Sequence, residues 1–293
     1  MKVLLVHNFF HPKNLNAFKN YNITIHAVHI SNFDKVFLND YDVVFSPSDP
    51  IDVRKYPDTK FIFGPHFSVF PEERHMKMIE GKNTVYIQPS EWAKNVWENY
   101  SYCKRITIKS LPFGVDTNRF NEIRPITDRN TVFIYFKRRM PSELNTVYNF
   151  LLSKGYNPVV FDYVKKYSED SYLNCLQNSK FGFWLDAHES QGFALQEALS
   201  CNVPLLVWNV SFLNQEYGSS YPKVFATSIP YWSESCGECF TDITEIDQKF
   251  NHLIKNLHAY KPRDFILENL SIEKCSSKFI DLVNGIVYMQ EKK

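Results

Sequence analysis

Glycine is scarce in this chain, nine among 293 residues, so the few positions that carry one stand out. The charges nearly cancel: Lys and Arg number 33, Asp and Glu 32, and the net charge is +1. A nucleic-acid binder would carry a clear basic excess, so that partner class is set aside. No apolar run exceeds strand length, so a transmembrane helix is not expected. The opening Met1-Lys-Val-Leu-Leu-Val has a charge and an apolar stretch, but His7 and Asn8 follow at once. That is too short for a signal peptide and reads as a first strand of a cytosolic protein. Cysteine pairing is also wanting. Of six cysteines only Cys236 and Cys239 stand in a C-x-x-C. A structural zinc needs a second such pair, and this one does not follow a strand as a redox motif would, so free thiols in a reducing compartment are expected and no metal site is assigned.

What the chain has is apolar and aromatic mass. Hydrophobic residues make up 44%, with 25 Phe and 17 Tyr, enough for the cores of two modest domains. The wealth of Lys, Asn, Phe and Tyr suggests an AT-rich genome, a microbe or a large virus, and thus the cytoplasm of that cell or of its infected host.

Short apolar runs alternate with loops and helix-period segments along the whole length. Strands are expected at Lys2 to His7, Ile23 to Ile30, Asp42 to Ser46, Lys60 to Gly64, Thr84 to Gln88 and Arg105 to Leu111. A helical turn is expected at Asn14 to Asn20, and a helix at Glu91 to Tyr100 capped by Ser90. After a polar, Pro- and Gly-marked stretch the pattern restarts. Strands at Thr131 to Phe136 and Asn157 to Phe161 alternate with helices at Ser142 to Lys154 and Ser168 to Asn178. A short edge strand is expected at Lys223 to Ala226. Helices follow at Ile243 to His258, Arg263 to Asn269 and Ile272 to Met289. Strands buried on both sides and separated by crossovers argue α/β architecture with parallel doubly wound sheets, whose ligands sit beyond the strands' carboxyl ends. His7, Asn8, Ser46, His66 and Ser90 fall at such ends.

The most informative stretch is Lys180 to Asn209, KFGFWLDAHESQGFALQEALSCNVPLLVWN. An aromatic strand (Phe181 to Leu185) runs into a polar loop ending at Gly192, then a helix (Phe193 to Cys201) and a second strand (Val203 to Trp208). Glu189 lies in the loop, and Glu197 follows eight residues later in the second helical turn. Gln191, Gly192 and Phe193 sit at the helix start, where backbone N–H groups and the helix dipole suit a phosphate. Glu197 is placed to reach a hydroxyl pair such as a ribose diol. The alternative is an amphipathic helix with solvated Glu side chains. Lys137, Arg138 and Arg139 follow the strand Thr131 to Phe136, three cations at a carboxyl end facing the same region, unless they form a solvated basic turn.

Glu189-Ser-Gln-Gly-Phe-Ala-Leu-Gln-Glu197-Ala resembles the E-x7-E signature of retaining glycosyltransferases of family 4 (glycosyl transferases group 1). Leu111-Pro-Phe-Gly-Val-Asp-Thr-Asn-Arg-Phe120 resembles the I-P-N-G-V-D-x-x-R-F segment leading into their second domain. The resemblance implies the GT-B fold: two Rossmann-like domains facing a cleft, residues 1–120 for the acceptor and 121–275 for a nucleotide-sugar donor. A C-terminal helix, 276–293, would cross back to the first domain through Phe279, Leu282 and Val283. It implies sugar transfer to a glycan or glycoconjugate hydroxyl, UDP or GDP sugars as donors, and no cofactor or metal. It casts Glu189 and His66 as catalytic, with His188 a second candidate beside them. Lys137 with Arg138 or Arg139, together with Gln191, Gly192, Phe193 and Glu197, would hold the donor. Two departures stand out. Glu143 lies near the expected Lys, and the first loop, His7-Asn-Phe-Phe-His-Pro12, lacks the usual Gly pair. An epimerase of the nucleotide sugar, or an inert nucleotide-sugar-binding scaffold, remains the alternative.

Overall fold

The structure, a computed structural model, describes residues 1–288. The chain forms two compact units, residues 1–114 with the C-terminal segment from 272, and residues 115–271. The divisions fall a few residues before the boundaries expected at 120 and 275.

In the first unit β1 (Lys2–Val6), α1 (Pro12–Lys19), β2 (Thr24–Val28), β3 (Val43–Ser46), β4 (Phe61–Phe63), α2 (Glu73–Ile79), β5 (Thr84–Gln88), α3 (Glu91–Glu98) and β6 (Ile108–Ser110) follow in order. All six strands pair in parallel, in the order β2-β1-β3-β4-β5-β6. The central strands are buried apart from Lys2 at the start of β1, whereas β2 at the edge is largely exposed. The helical turn expected near Asn14 is a true helix, started by Pro12 and capped by the His11 side chain. The expected cap at Ser90 is made by position only. Its hydroxyl is buried and accepts nothing from the helix.

In the second unit come β7 (Thr131–Lys137), α4 (Pro141–Ser153), β8 (Val159–Asp162), α5 (Glu169–Asn178), β9 (Ser179–Asp186), α6 (Phe193–Ser200), β10 (Leu205–Trp208), β11 (Gly237–Phe240), α7 (Ile246–Lys255) and α8 (Pro262–Asn269). The sheet is again parallel, ordered β11-β10-β9-β7-β8. The expected strand at Lys223 to Ala226 is not formed; its Phe225 makes only an isolated bridge to Phe212. The edge position belongs instead to β11, which pairs with β10 from Leu205↔Gly237 to Trp208↔Phe240.

The alternation of β7 explains the layering. Val132, Ile134 and Phe136 face one side, where Val147 and Leu151 of α4 and Phe250 and Leu253 of α7 cover them. Phe133 and Tyr135 face the other, covered by Tyr172 and Leu176 of α5 and Leu195 and Leu199 of α6. Tyr135 stacks flat on Trp184 of β9 at 4.1 Å between ring centroids.

The chain then returns to the first unit as α9 (Ile272–Tyr288). Phe279 packs against Phe18, Tyr21 and Phe45 of that unit. Val283 and Ile286 are buried, and Leu282 is half-buried. Met289, the expected end of this helix, lies outside the described residues.

Counted from the first strand, both sheets run second, first, third, fourth, fifth, and the first sheet adds a sixth strand beyond these. In each, the chain reverses direction across the sheet between the first and third strands, β1/β3 and β7/β9. Ligands of open parallel sheets settle at the carboxyl ends beside that reversal.

Candidate functional site

At the β7/β9 reversal the last residues of both strands are register partners, Lys137 and Asp186. The chain continues from Asp186 through Ala187 and His188 to Glu189, whose backbone N–H donates to the Thr227 carbonyl. Lys137 Nζ lies 2.5 Å from Glu189 Oε1 and 3.9 Å from Asp186 Oδ2. The Lys137 and Glu189 side chains are each 15% exposed, and Asp186 is completely buried. Burial works against the Lys137 ammonium, but Asp186 and Glu189 together hold its pKa above the ordinary lysine value. Burial likewise works to raise Glu189. The charge of Lys137 and its hydrogen bond at 2.5 Å outweigh it, so Glu189 titrates below the usual carboxylate range. Burial pushes Asp186 well above that range.

Gly192 follows as the residue before α6, with φ +78° and ψ +47°. This left-handed turn aims the start of α6 and is open at low cost only to glycine. Gln191 is buried; its side-chain amide donates to Gln196 Oε1, and Gln196 Nε2 donates back to the Gln191 carbonyl. Phe193 opens the helix. Glu197 is 3% exposed, and Leu195 to Ser200 are buried throughout. The solvated-face alternative for this helix therefore fails. Glu197 stands within electrostatic reach of Tyr167 and Tyr172.

The three cations after β7 have three different fates. Lys137 pairs with Glu189. Arg138 adopts φ +50°, is 46% exposed and pairs with Glu216 at 3.0 Å. Glu216 also takes His188 Nε2 at 2.6 Å. Burial lowers the His188 pKa, with Glu216 opposing. Arg139 turns inward. Its guanidinium grips both oxygens of Glu143 and donates to the Trp208 and Asp186 carbonyls. The expectation of Arg139 as a phosphate ligand is corrected on that ground: its side chain is 2% exposed and its donors are used within the unit. Glu143, the residue near the expected Lys, is its partner and also accepts from the Met140 backbone N–H at the start of α4.

His66 lies in the first unit, after β4. Its ring packs against Phe9, Phe10 and His11, and its Nε2 is buried without a hydrogen-bond partner. Burial, with help from His11, lowers its pKa to about 4, so it is a neutral imidazole at neutral pH. The first loop is held down from the other side: the Asn8 backbone N–H donates to Asp49 and that of Phe9 to Ser48. Amides that a Gly pair would present to an anion here already serve a carboxylate and a hydroxyl.

Sequence reasoning missed Asp186 and Glu216. Asp186 was visible as a carboxylate ending an apolar strand, opposite a lysine ending another. Glu216 sits in an irregular segment with no periodic signal. Cys236 and Cys239 flank the start of β11 as free thiols, and burial pushes both up, Cys239 to about 11. No helix among the described residues is long and apolar enough to cross a membrane.

No protein-family model matches the sequence, and no curated protein matches it. Solved structures do match. The chain is similar to the N-terminal domain of Candida albicans trehalose-6-phosphate phosphatase, with a TM-score of 0.62 at 10% identity, covering 97% of this chain and 97% of that one. It is similar to sucrose-phosphate synthase from Thermosynechococcus elongatus, with a TM-score of 0.56 at 8% identity, covering 98% and 99%. TarM matches at 0.51 and 14% identity over 87% of this chain and 57% of that one. At such identities the likeness is one of fold, the GT-B arrangement of two parallel-sheet α/β units.

Proposed function

We propose that this protein is a retaining glycosyltransferase that moves a sugar from a nucleotide-diphospho-sugar to an acceptor hydroxyl. The observation that carries the proposal is the Lys137–Glu189 pair at the β7/β9 reversal, immediately before the left-handed Gly192 that starts α6. A cation, a carboxylate and the positive end of a helix lie where open parallel sheets take ligands. In this reading Lys137 and Arg138 neutralise the diphosphate, and Gln191, Gly192 and Phe193 at the helix start receive it. Glu197 takes the ribose hydroxyls.

The leaving diphosphate gathers charge as the glycosidic bond breaks, so cationic and amide stabilisation supplies the main catalytic effect. Retention by front-face attack lets that diphosphate accept the acceptor's proton. Glu189 then positions the donor sugar; the neutral His66 imidazole has the chemistry to hydrogen-bond a sugar hydroxyl. With Arg139 committed to Glu143, phosphate binding falls to Lys137 and Arg138. With the first-loop amides tied to Asp49 and Ser48, it falls to the second unit.

A panel of UDP-, GDP- and other nucleotide sugars tests this by thermal shift and donor hydrolysis. A ligand at a hundred times its Kd stabilises by about 2.7 kcal/mol, a readily measured rise in Tm. At least one donor is expected to produce it, and Glu197→Gln to weaken it. A panel without shift or hydrolysis rejects the proposal. A second reading, a binding protein without turnover, is favoured by the tied first loop and by the likeness to a domain of an enzyme named for phosphatase activity. Donor binding with no hydrolysis and no transfer across a broad acceptor panel would select it.

A further inference from the structure

Lys137, Asp186 and Glu189 do not balance as three charges. One ammonium offsets one carboxylate, and Glu189 already has it at 2.5 Å. Asp186 is wholly buried, 3.9 Å from the same ammonium, and neither of its carboxyl oxygens has a hydrogen-bond partner of ordinary geometry. A second bare carboxylate in that position would be strongly unfavourable, so the group carries its proton. An acid with a proton and no acceptor, beside an ionised carboxylate, has one natural partner, and that partner is Glu189.

Resting on the nucleotide-diphosphate reading of this site, we propose that Asp186 is a positioning residue whose carboxyl donates a hydrogen bond to Glu189, holding that carboxylate when Lys137 turns to the diphosphate of a bound ligand. Without it, moving Lys137 would take from the buried Glu189 carboxylate the ammonium that offsets it at 2.5 Å. The proton is shared between two carboxyl groups and none is exchanged with solvent, so the pair carries a single negative charge before and after the ligand arrives.

The groups facing this pair leave a clear pH signature. Lys137 keeps its charge beside Glu189, 2.5 Å away. Burial pushes the phenols of Tyr135 and Tyr167 up, Tyr167 to about 12. Burial lowers His188, which pairs with Glu216. Tyr163 lies under the Lys137 ammonium at 4.9 Å, and Glu197 is near Tyr167. As pH rises, the proton whose loss changes the charge of the carboxyl pair is the one on Asp186. Two carboxylates then hold Lys137 and repel a diphosphate.

The test titrates UDP and GDP into the wild-type chain, Asp186→Asn and Asp186→Leu by calorimetry from neutral to alkaline pH. Wild-type affinity is expected to fall with rising pH, approaching about tenfold per pH unit for one proton. Asp186→Asn keeps the shape and an N–H donor, and is expected to match the wild type at neutral pH while losing that fall. Asp186→Leu keeps volume without a donor and is expected to bind about tenfold more weakly or worse. Ionisation of the base is common to all three proteins. Coincident pH curves for wild type and Asp186→Asn overturn the inference, and so does Asp186→Leu binding as the wild type does. If Asp186→Leu fails to fold, the first comparison decides alone. Binding with coincident curves removes only the role of Asp186, whereas failure of the wild type to bind either nucleotide at neutral pH removes the site's reading as well.

Discussion

His66 and the Lys137-Arg-Arg139 run show how far a side chain's role depends on what its neighbours leave to it. His66 sits among Phe9, Phe10 and His11 with a pKa lowered to about 4 by burial. The folded form therefore resists the proton that the unfolded chain accepts near 6.5. Stability is fully present above that value and is lost as pH falls from about 6.5 through about 4, by up to about 3 kcal/mol for this one group. His66→Phe removes the titration, so denaturant unfolding at acid and neutral pH is expected to show a smaller difference in the variant than in the wild type. The run after β7 was legible as cationic and as lying at a strand's carboxyl end. Its division of labour was not. Three adjacent basic letters do not say that Lys137 stays in register with Asp186, that Arg138 turns left-handed, or that Arg139 is clamped by Glu143. Those fates depend on partners 4 to 78 residues away.

At the scale of elements, α6 and β11 each begin at a glycine with positive φ, for different reasons. At Gly192 an added Cβ would meet ordinary contacts at 3.6 Å, so only the left-handed backbone is at stake. Gly192→Ala is expected to cost about 1–2 kcal/mol in unfolding free energy. At Gly237 a Cβ would lie 2.0 Å from the Leu205 carbonyl oxygen, inside the pairing of β11 with β10. Gly237→Ala is expected to cost about 3 kcal/mol or more, and amide exchange should show the loss concentrated in β10 and β11. The helix after Gly192 was legible because its glycine, apolar spacing and acid pair coincide. The edge strand was misplaced to Lys223 to Ala226 because Gly-Glu-Cys-Phe alternates no more clearly than Lys-Val-Phe-Ala. What selects β11 is a crossover long enough to lay it parallel to β10, a matter of three-dimensional reach.

For the whole molecule, the C-terminal segment decides whether the first unit is complete. Phe279 meets Phe18, Tyr21 and Phe45, residues of α1, the turn after it and β3. Phe279→Ala is expected to cost about 3–5 kcal/mol and to make the first unit more prone to limited proteolysis while leaving the stacked Tyr135–Trp184 core of the second unit unchanged.

The amino-acid order alone determined the strand–helix alternation, the restart after the Leu111 to Phe120 segment, the acid pair at Glu189 and Glu197 and the glycine between them. These are local patterns, set by spacing within one or two elements, and short-range geometry is what spacing encodes. Only the tertiary structure decided that Lys137 and Asp186 end neighbouring strands, that Glu189 takes the lysine while Asp186 is wholly buried 3.9 Å from it, and that Glu197 is buried and not solvated. A charge's state depends on its burial and on the opposite charge beside it, and both arise when distant segments close into one sheet.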